Sequence, residues 1–347
     1  MRKWMLVLMF GILMVFTAGC GSKESSEPSN ASKDTGSSES KLEGSLHFYT
    51  SQPDADAAKL VEGFQAKYPD VKVETFRSGT EEVISKIKAE KMAGKIQADV
   101  LLVADAVTFE SLKEEDMLKA YESKEAAELP AELVDPDHTY YGTKVMATGL
   151  VVNTQKVKKL PTSWNVLASK EAKGKIIMPS PLYSGAAAYN LGVFTRQDKL
   201  GWDFYKNIAA NDVTVTKGNG DVLKGVAGGE KDYGMVVDYL VTRAKAEGSP
   251  VELIYPEEGV PVITEPIGIM KDADNVDAAQ AFVDFVLSEE GQKLAAELGY
   301  TPIRKGVEAP EGLKTIDEMK VLSTDDVQEL YRARDGDKKE FETVISE

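Results

Sequence analysis

Two short turns, Ser78-Gly79-Thr80 and Ser184-Gly185-Ala186, each stand between a β-rich run and a helical pattern. Their hydroxyls, with the first N–H groups of the helix that follows, form a ready anion holder, because those N–H groups have no partner inside the helix. Two such helix starts facing one cleft suit a phosphate, phosphonate or carboxylate without any basic residue. The same residues also serve as ordinary N-caps. A second set differs in character: Asp105, Asp238 and Glu265 offer carboxylates, while Tyr49, Tyr183 and Tyr239 offer aromatic faces that pack against a cationic amine. A zwitterion such as an aminoalkylphosphonate would use both sets. A hard cation is the competing ligand, since Asp238, Tyr239 and Asp105 together supply oxygen donors. The two histidines give it no help. His47 falls inside a strand and His138 in the turn Asp135-Pro136-Asp137-His138, neither with a partner at metal-ligand spacing. Tyr140-Tyr141 reads as aromatic packing in an extended segment, and Lys217 and Asn219 in the turn 216–221 lie either at the ligand or in a solvated loop.

Enzyme chemistry finds little support. The chain has no Gly-x-Ser-x-Gly elbow and no His-Glu-x-x-His helix, and its one cysteine, Cys20, lies in an N-terminal leader. The 57 acidic residues leave a glycosidase pair open by spacing alone. Absence of internal repeats argues against an adhesive or purely structural protein. The expectation is a binding protein and not an enzyme, with a surface-anchored hydrolase as the alternative of another class.

The elements that must position these residues follow an export leader. Arg2 and Lys3 precede an apolar run over 4–16 that ends in Thr17-Ala18-Gly19-Cys20, a signal-peptide layout too short to span a bilayer comfortably. Residues 1–19 read as removed, Cys20 as a lipidation site, with plain cleavage near Ala18 as the alternative, and 20–42 as a flexible tether poor in apolar residues. The formal net charge of −16 disfavours nucleic acid as a partner. From about Leu46 the chain alternates short strands with helical patterns, strands over 46–49, 71–76 and 100–103 and helices over 57–68 and 81–92, which implies α/β architecture with largely parallel sheets. Two long β-rich stretches, 140–153 and 262–270, read as crossings between lobes. They divide the body into 43–143 plus 266–347 as one lobe and 144–265 as the other, and about 300 residues favour two lobes over one core. Ligands of such sheets sit beyond the carboxyl ends of the strands.

The order of several segments resembles the type 2 periplasmic-binding-protein superfamily, in the branch of ferric-iron, thiamine and 2-aminoethylphosphonate binding proteins. The segments are Phe48-Tyr49-Thr50-Ser51, Ser78-Gly79-Thr80, Ala98-Asp99-Val100-Leu101-Leu102, Pro181-Leu182-Tyr183-Ser184-Gly185, Ser288-Glu289-Glu290-Gly291-Gln292 and Gly299-Tyr300-Thr301-Pro302-Ile303-Arg304. The resemblance implies an α/β fold of two Rossmann-like lobes joined by two hinge crossings. It implies a monomeric substrate-binding lipoprotein outside the cytoplasm, anchored to the membrane through Cys20, that captures a small solute and presents it to the permease of an ABC importer, with no cofactor. Ligand contacts are then expected at Thr50, Ser51, Ser78, Gly79, Thr80, Asp105, Ser180, Ser184, Gly185, Ala186, Asp238 and Tyr239. Were the ligand ferric iron, Tyr239 and Asp238 would hold it, with Asp238 standing where such relatives carry a second tyrosine.

Overall fold

The alternation of strand and helix is realised unit by unit in the computed structural model, which describes residues 42–322 and 327–346. The leader, Cys20 and the tether through residue 41 lie outside the described residues. In chain order the first elements are β1 (Gly44–Thr50), α1 (Asp54–Lys67), β2 (Val71–Arg77), α2 (Thr80–Met92), β3 (Val100–Leu102), α3 (Ala106–Glu114), β4 (Leu118–Lys119) and the long β5 (Tyr141–Asn153). Next come β6 (Ile176–Pro179), α4 (Gly185–Thr195), α5 (Gly201–Ala210), β7 (Thr214–Thr216), α6 (Asn219–Ala227), β8 (Tyr233–Val237), α7 (Asp238–Ala246), β9 (Val251–Ile254) and β10 (Val260–Met270). The chain closes with α8 (Val276–Leu287), α9 (Glu289–Glu297), β11 (Thr301–Pro302), β12 (Val321–Leu322) and α10 (Val327–Ser346).

One continuous ladder runs β2-β1-β3-β10-β5-β8-β6-β7. Its two ends are parallel, β1 pairing with β2 and β3, and β6 with β7 and β8. The inner strands β3, β6 and β8 are covered on both faces, which explains their near-continuous apolar sequences, whereas the edge strands β2 and β7 carry exposed polar residues. The middle is antiparallel: β10 pairs with β3 and β5, and β5 pairs with β8. All thirteen residues of β5 are buried. Its first part, through Ala147, pairs with β10, and from Thr148 onward it pairs with β8, so this single strand passes from one half of the sheet to the other. Strand β10 makes the return passage, with a register shift between Thr264 and Pro266. Proline has no N–H to give the ladder, so a break there is expected.

Each half has its own core. Phe48 and Phe64 pack on Phe282 with ring centroids 4.8 and 4.9 Å apart in the first half, each fully buried aromatic contributing about 1.5–3 kcal/mol. Trp164, Phe194, Phe204 and Tyr205 form the second. Helix α10 differs from the expected assignment of 266–347 to the first lobe. Its Leu330, Phe341 and Val344 are buried in the cluster of Trp164 and Phe194, Phe341 sits 5.8 Å from the Tyr205 ring, and a Cβ at Gly192 of α4 would come within 2.8 Å of Leu330. Its apolar face therefore packs chiefly on α4 and α5 of the second half, with Val107 of α3 in the same cluster.

Candidate functional site

Five helices begin at one cavity. Strands β1 and β2 lead into α1 and α2 from the first half, and β6, β7 and β8 lead into α4, α6 and α7 from the second. The carboxyl ends of both parallel sets thus point at the same space. A cavity of about 370 Å³ lies there, walled by Pro53 and Asp54 at the start of α1 and Gly79 and Thr80 at the start of α2. Ser184, Gly185 and Ala186 open α4, Gly218 to Asp221 open α6, and Val237, Tyr239 and Leu240 open α7 on the same wall. The two halves touch across it. The Glu81 N–H donates to the Tyr183 carbonyl at 3.3 Å, and a Cβ on Gly185 would stand 2.6 Å from the Ala104 carbonyl and 2.8 Å from Thr80 Oγ1. Only glycine allows that approach.

The turns are held by side chains chosen for capping. Ser184 Oγ accepts the Ala187 N–H at 3.3 Å and also an amide hydrogen of Asn219 at 3.3 Å. Asn219 Oδ1 in turn accepts the Val237 N–H at 3.2 Å. One asparagine thereby ties the starts of α4 and α6 to the end of β8. On the other side, Thr50 Oγ1 donates to the Leu102 carbonyl at 2.8 Å and accepts the Gln52 N–H at 3.1 Å, and Arg77 Nε donates to the Gln52 carbonyl at 2.7 Å. Ser51 Oγ lies 3.4 Å from Glu265 Oε1 and accepts the Ala104 N–H at 3.4 Å. Glu265 sits at the register shift of β10, where an irregular strand re-aims a side chain, and it reaches the cavity while ion-paired to the buried Lys144.

Side-chain charge in the wall nearly cancels. Arg77 and Lys217 face Asp54, Asp221 and Glu265, the last neutralised by Lys144 from behind. Lys217 is further occupied, lying 3.7 Å from Glu82 and 5.1 Å from the centre of the Tyr183 ring. What remains to attract an anion is the set of helix starts, whose first N–H groups carry partial positive charge into the cavity.

Of the expected contacts, Ser51, Gly79, Thr80, Ser184, Gly185, Ala186 and Tyr239 line the cavity. Five do not. Thr50 is spent on Leu102 and Gln52. Ser78 Oγ turns outward to Glu82, and Ser180 Oγ accepts the Leu182 N–H at 3.1 Å within its own turn. Asp105 caps α3 by accepting the Thr108 N–H at 2.9 Å and is held by Arg334 of α10 at 3.0 and 3.1 Å. Asp238 is buried away from the cavity, accepting from the Tyr255 hydroxyl at 3.0 Å and from the Tyr239 N–H at 2.8 Å; burial pushes its carboxyl up to about 7 despite those bonds. The donor pair expected for iron is therefore not assembled. Tyr239 faces the cavity, its ring 4.2 Å from that of Tyr300, with its phenol pushed far above the ordinary range by burial. Among the described residues no group of three His, Cys, Asp or Glu is placed to hold a metal. Tyr140 and Tyr141 are packing residues, Tyr140 donating to Glu110 at 2.5 Å beside Phe109, and Tyr141 to the Tyr121 carbonyl.

Gln52, Asp54, Arg77 and Met146 line the cavity without having been singled out as ligand contacts. The signal available in the sequence was position: the first three lie in the junctions between β1 and α1 and between β2 and α2, next to residues that were named.

Comparison with known proteins gives the same direction. A family model described as bacterial extracellular solute-binding protein matches residues 96–329. A protein of Haemophilus influenzae is 30% identical over 267 residues, covering 74% of this chain and 76% of that one. Iron uptake protein A1 of Synechocystis is 26% identical over 272 residues, covering 73% and 74%. The solved structure of the periplasmic binding protein AfuA from Actinobacillus pleuropneumoniae, with exogenous fructose-6-phosphate bound, superposes with a TM-score of 0.80 at 26% identity over 87% of this chain and 98% of that one.

Proposed function

The chain belongs to the bacterial extracellular solute-binding proteins, the periplasmic solute-binding components of ABC transporters, and on that premise we propose that its solute is a phosphate ester or phosphonate. The observation that carries this reading is the convergence of five helix starts on one cavity whose side-chain charge nearly cancels. A phosphoryl group there is stabilised by backbone N–H groups and helix dipoles from both halves. The rest of the solute meets Asp54, Asp221, Asn219 and Glu265, acceptors and donors suited to hydroxyl or amine groups. The fructose-6-phosphate held by the similar AfuA protein supports a phosphate ester. Iron, which the name of the Synechocystis relative suggests, lacks this support here, because Asp238 and Tyr239 diverge.

Capture proceeds by closure. The halves rotate about β5 and β10, and a solute touching helix starts on both sides stabilises the closed form in proportion to its extra contacts there. Cys20 carries a lipid anchor in this reading, and the segment to residue 42 tethers the body to the membrane.

The test is a thermal melt and calorimetric titration of the full chain with fructose 6-phosphate, 2-aminoethylphosphonate, inorganic phosphate and ferric citrate. A phosphorylated or phosphonate compound at about a hundredfold its Kd should stabilise the fold by about 2.7 kcal/mol. Stabilisation by ferric iron alone, with a tyrosinate absorption band, overturns the proposal. Incorporation of labelled fatty acid, lost in Cys20→Ser, tests the anchor.

A further inference from the structure

Helix α10 joins the two halves by different means. Its apolar side is packed against α4 and α5 through Leu330, Phe341 and Val344, and Arg196, just past the end of α4, ties it further through Asp337 at 2.8 Å and Glu329 at 3.0 Å. Toward the first half it presents charge. Arg334 donates to both oxygens of Asp105 at 3.0 and 3.1 Å and to Glu81 at 2.8 Å, and Lys338 reaches the other oxygen of Glu81 at 2.5 Å. These groups are largely buried, the Asp105 side chain being 1% exposed and that of Arg334 12%.

The two acids occupy particular places. Asp105 is the N-cap of α3. Glu81 is in the first turn of α2, next to Thr80 of the cavity wall, and its own N–H is the one bonded across the cleft to Tyr183. The guanidinium therefore sits directly behind the turn that faces the solute. Burial alone would raise the Glu81 carboxyl, but Arg334 and Lys338 outweigh it and hold it below the ordinary range.

We propose that α10 is a clasp for the closed form, carried on the second half and gripping the first through Arg334 and Lys338, so that the ease of opening is set by these ion pairs as well as by the solute. When the halves part about β5 and β10, the apolar face of α10 stays on α4 and α5, and the contacts that break are those to the first half: the ion pairs to Asp105 and Glu81, the Gln328 bond to Glu110 at 3.1 Å and the packing beside Val107 of α3. Breaking them exposes charges to water that they lacked when buried, so the clasp is reversible in a way an apolar contact of the same size is not.

The proposal rests on the reading that the halves close on a solute, but its test uses unliganded protein and so fails or holds separately. Nitroxide labels at Met92→Cys in α2 and Lys224→Cys in α6, in the full chain carrying Cys20→Ser, report the distance between halves by pulsed electron resonance. Arg334→Gln with Lys338→Gln should lower the closed-to-open ratio about tenfold, within the 5–150-fold range of typical couplings. Asp105→Asn, which keeps a capping oxygen for α3, should open the protein in the same sense from the other side. Arg334→Lys should recover part of the closed population, its point charge replacing the bidentate fork incompletely. Arg196→Met serves as the control, since it removes an ion pair of α10 that stays within the second half. Distance distributions unchanged by the double substitution overturn the proposal. Equal opening in Arg196→Met also overturns it, because general loosening of α10 then explains the effect.

Discussion

Replacing Gly79 by Ala places a methyl where the two halves meet. The Cβ would lie 2.5 Å from the Tyr183 carbonyl oxygen and 2.7 Å from two atoms of its ring. Carbon contacts become comfortable at about 3.5 Å, so the halves must part by roughly 1 Å. That movement stretches the Glu81 N–H bond to Tyr183, 3.3 Å in the closed form, beyond useful length. Gly79 has φ −64°, an ordinary backbone angle for alanine, so the open form accepts the methyl without strain. The penalty of about 1–3 kcal/mol for overpacking then falls on the closed form alone. Solute Kd should weaken about 5- to 150-fold, while the melting temperature of the unliganded protein stays near that of the wild type. Calorimetric titration with fructose 6-phosphate and 2-aminoethylphosphonate measures the first, and calorimetric melting the second. Gly220→Ala, also in the cavity wall but with nothing within 4 Å of its Cβ, should bind nearly as the wild type does. The reasoning is refuted if Gly79→Ala binds as tightly as Gly220→Ala, or if its unliganded form is destabilised as much as its binding is weakened.

Ser184→Ala removes the acceptor for Ala187 and Asn219; stability should fall by about 1 kcal/mol in a urea titration, with a larger loss of affinity because the start of α6 loses its tie. Asp238 ionises near 7 in the fold against 3.8 in the unfolded chain, so its contribution is fully present below about pH 4 and is lost as pH rises through about 7, amounting to about 4 kcal/mol. The stability of Asp238→Asn relative to wild type should accordingly improve from pH 5 to pH 8 in urea melts, and parallel curves would contradict the assignment. Lys144→Met leaves Glu265 buried without its cation and should cost about 3–5 kcal/mol, whereas Lys144→Met with Glu265→Gln should recover much of it; additive losses in chemical denaturation would show that the two do not act as a pair.

Much of the fold was legible because the physics that forms its elements is local. Strands such as 71–76 and helices such as 81–92 announce themselves by period, and the structure places them at Val71–Arg77 and Thr80–Met92. The two crossings were visible for a related reason. A strand buried along its whole length must be largely apolar or small, as Tyr141–Asn153 is apart from Lys144, which is paired with Glu265. Helix α10 was not legible. Its sequence is rich in Arg, Lys, Asp and Glu, and although Leu330, Phe341 and Val344 fall on one face of the helix, nothing in that pattern says which part of the fold the face packs against. What makes it a helix with a defined place is tertiary: a few apolar residues inserted into the Trp164 core and a row of cations opposite two carboxylates far earlier in the chain. Segment assignment by proximity in sequence could not show that its apolar face packs on α4 and α5.

The candidate site divides along the same line. Gly79, Thr80, Ser184 and Gly185 could be named because a strand, a small polar turn and a helix in succession fix where the turn must lie, at the carboxyl edge of a sheet. Asp105 and Asp238 satisfy the same positional rule, and both turn away. The difference is in what competes for a carboxylate once it is there. Asp105 is claimed by its own helix start and by Arg334, and Asp238 by the Tyr255 hydroxyl and neighbouring N–H groups. An acid near a helix start has backbone donors within reach before any solute arrives, and capping them satisfies it. A glycine or alanine in that position has no side chain to cap its helix start and offers only backbone to the cavity wall. The residues most readable as solute contacts are therefore the small ones, which contribute backbone; of the acids that do reach the cavity, Asp54 and Asp221 lie in the first turns of α1 and α6, and Glu265 stands at a register shift in a hinge strand.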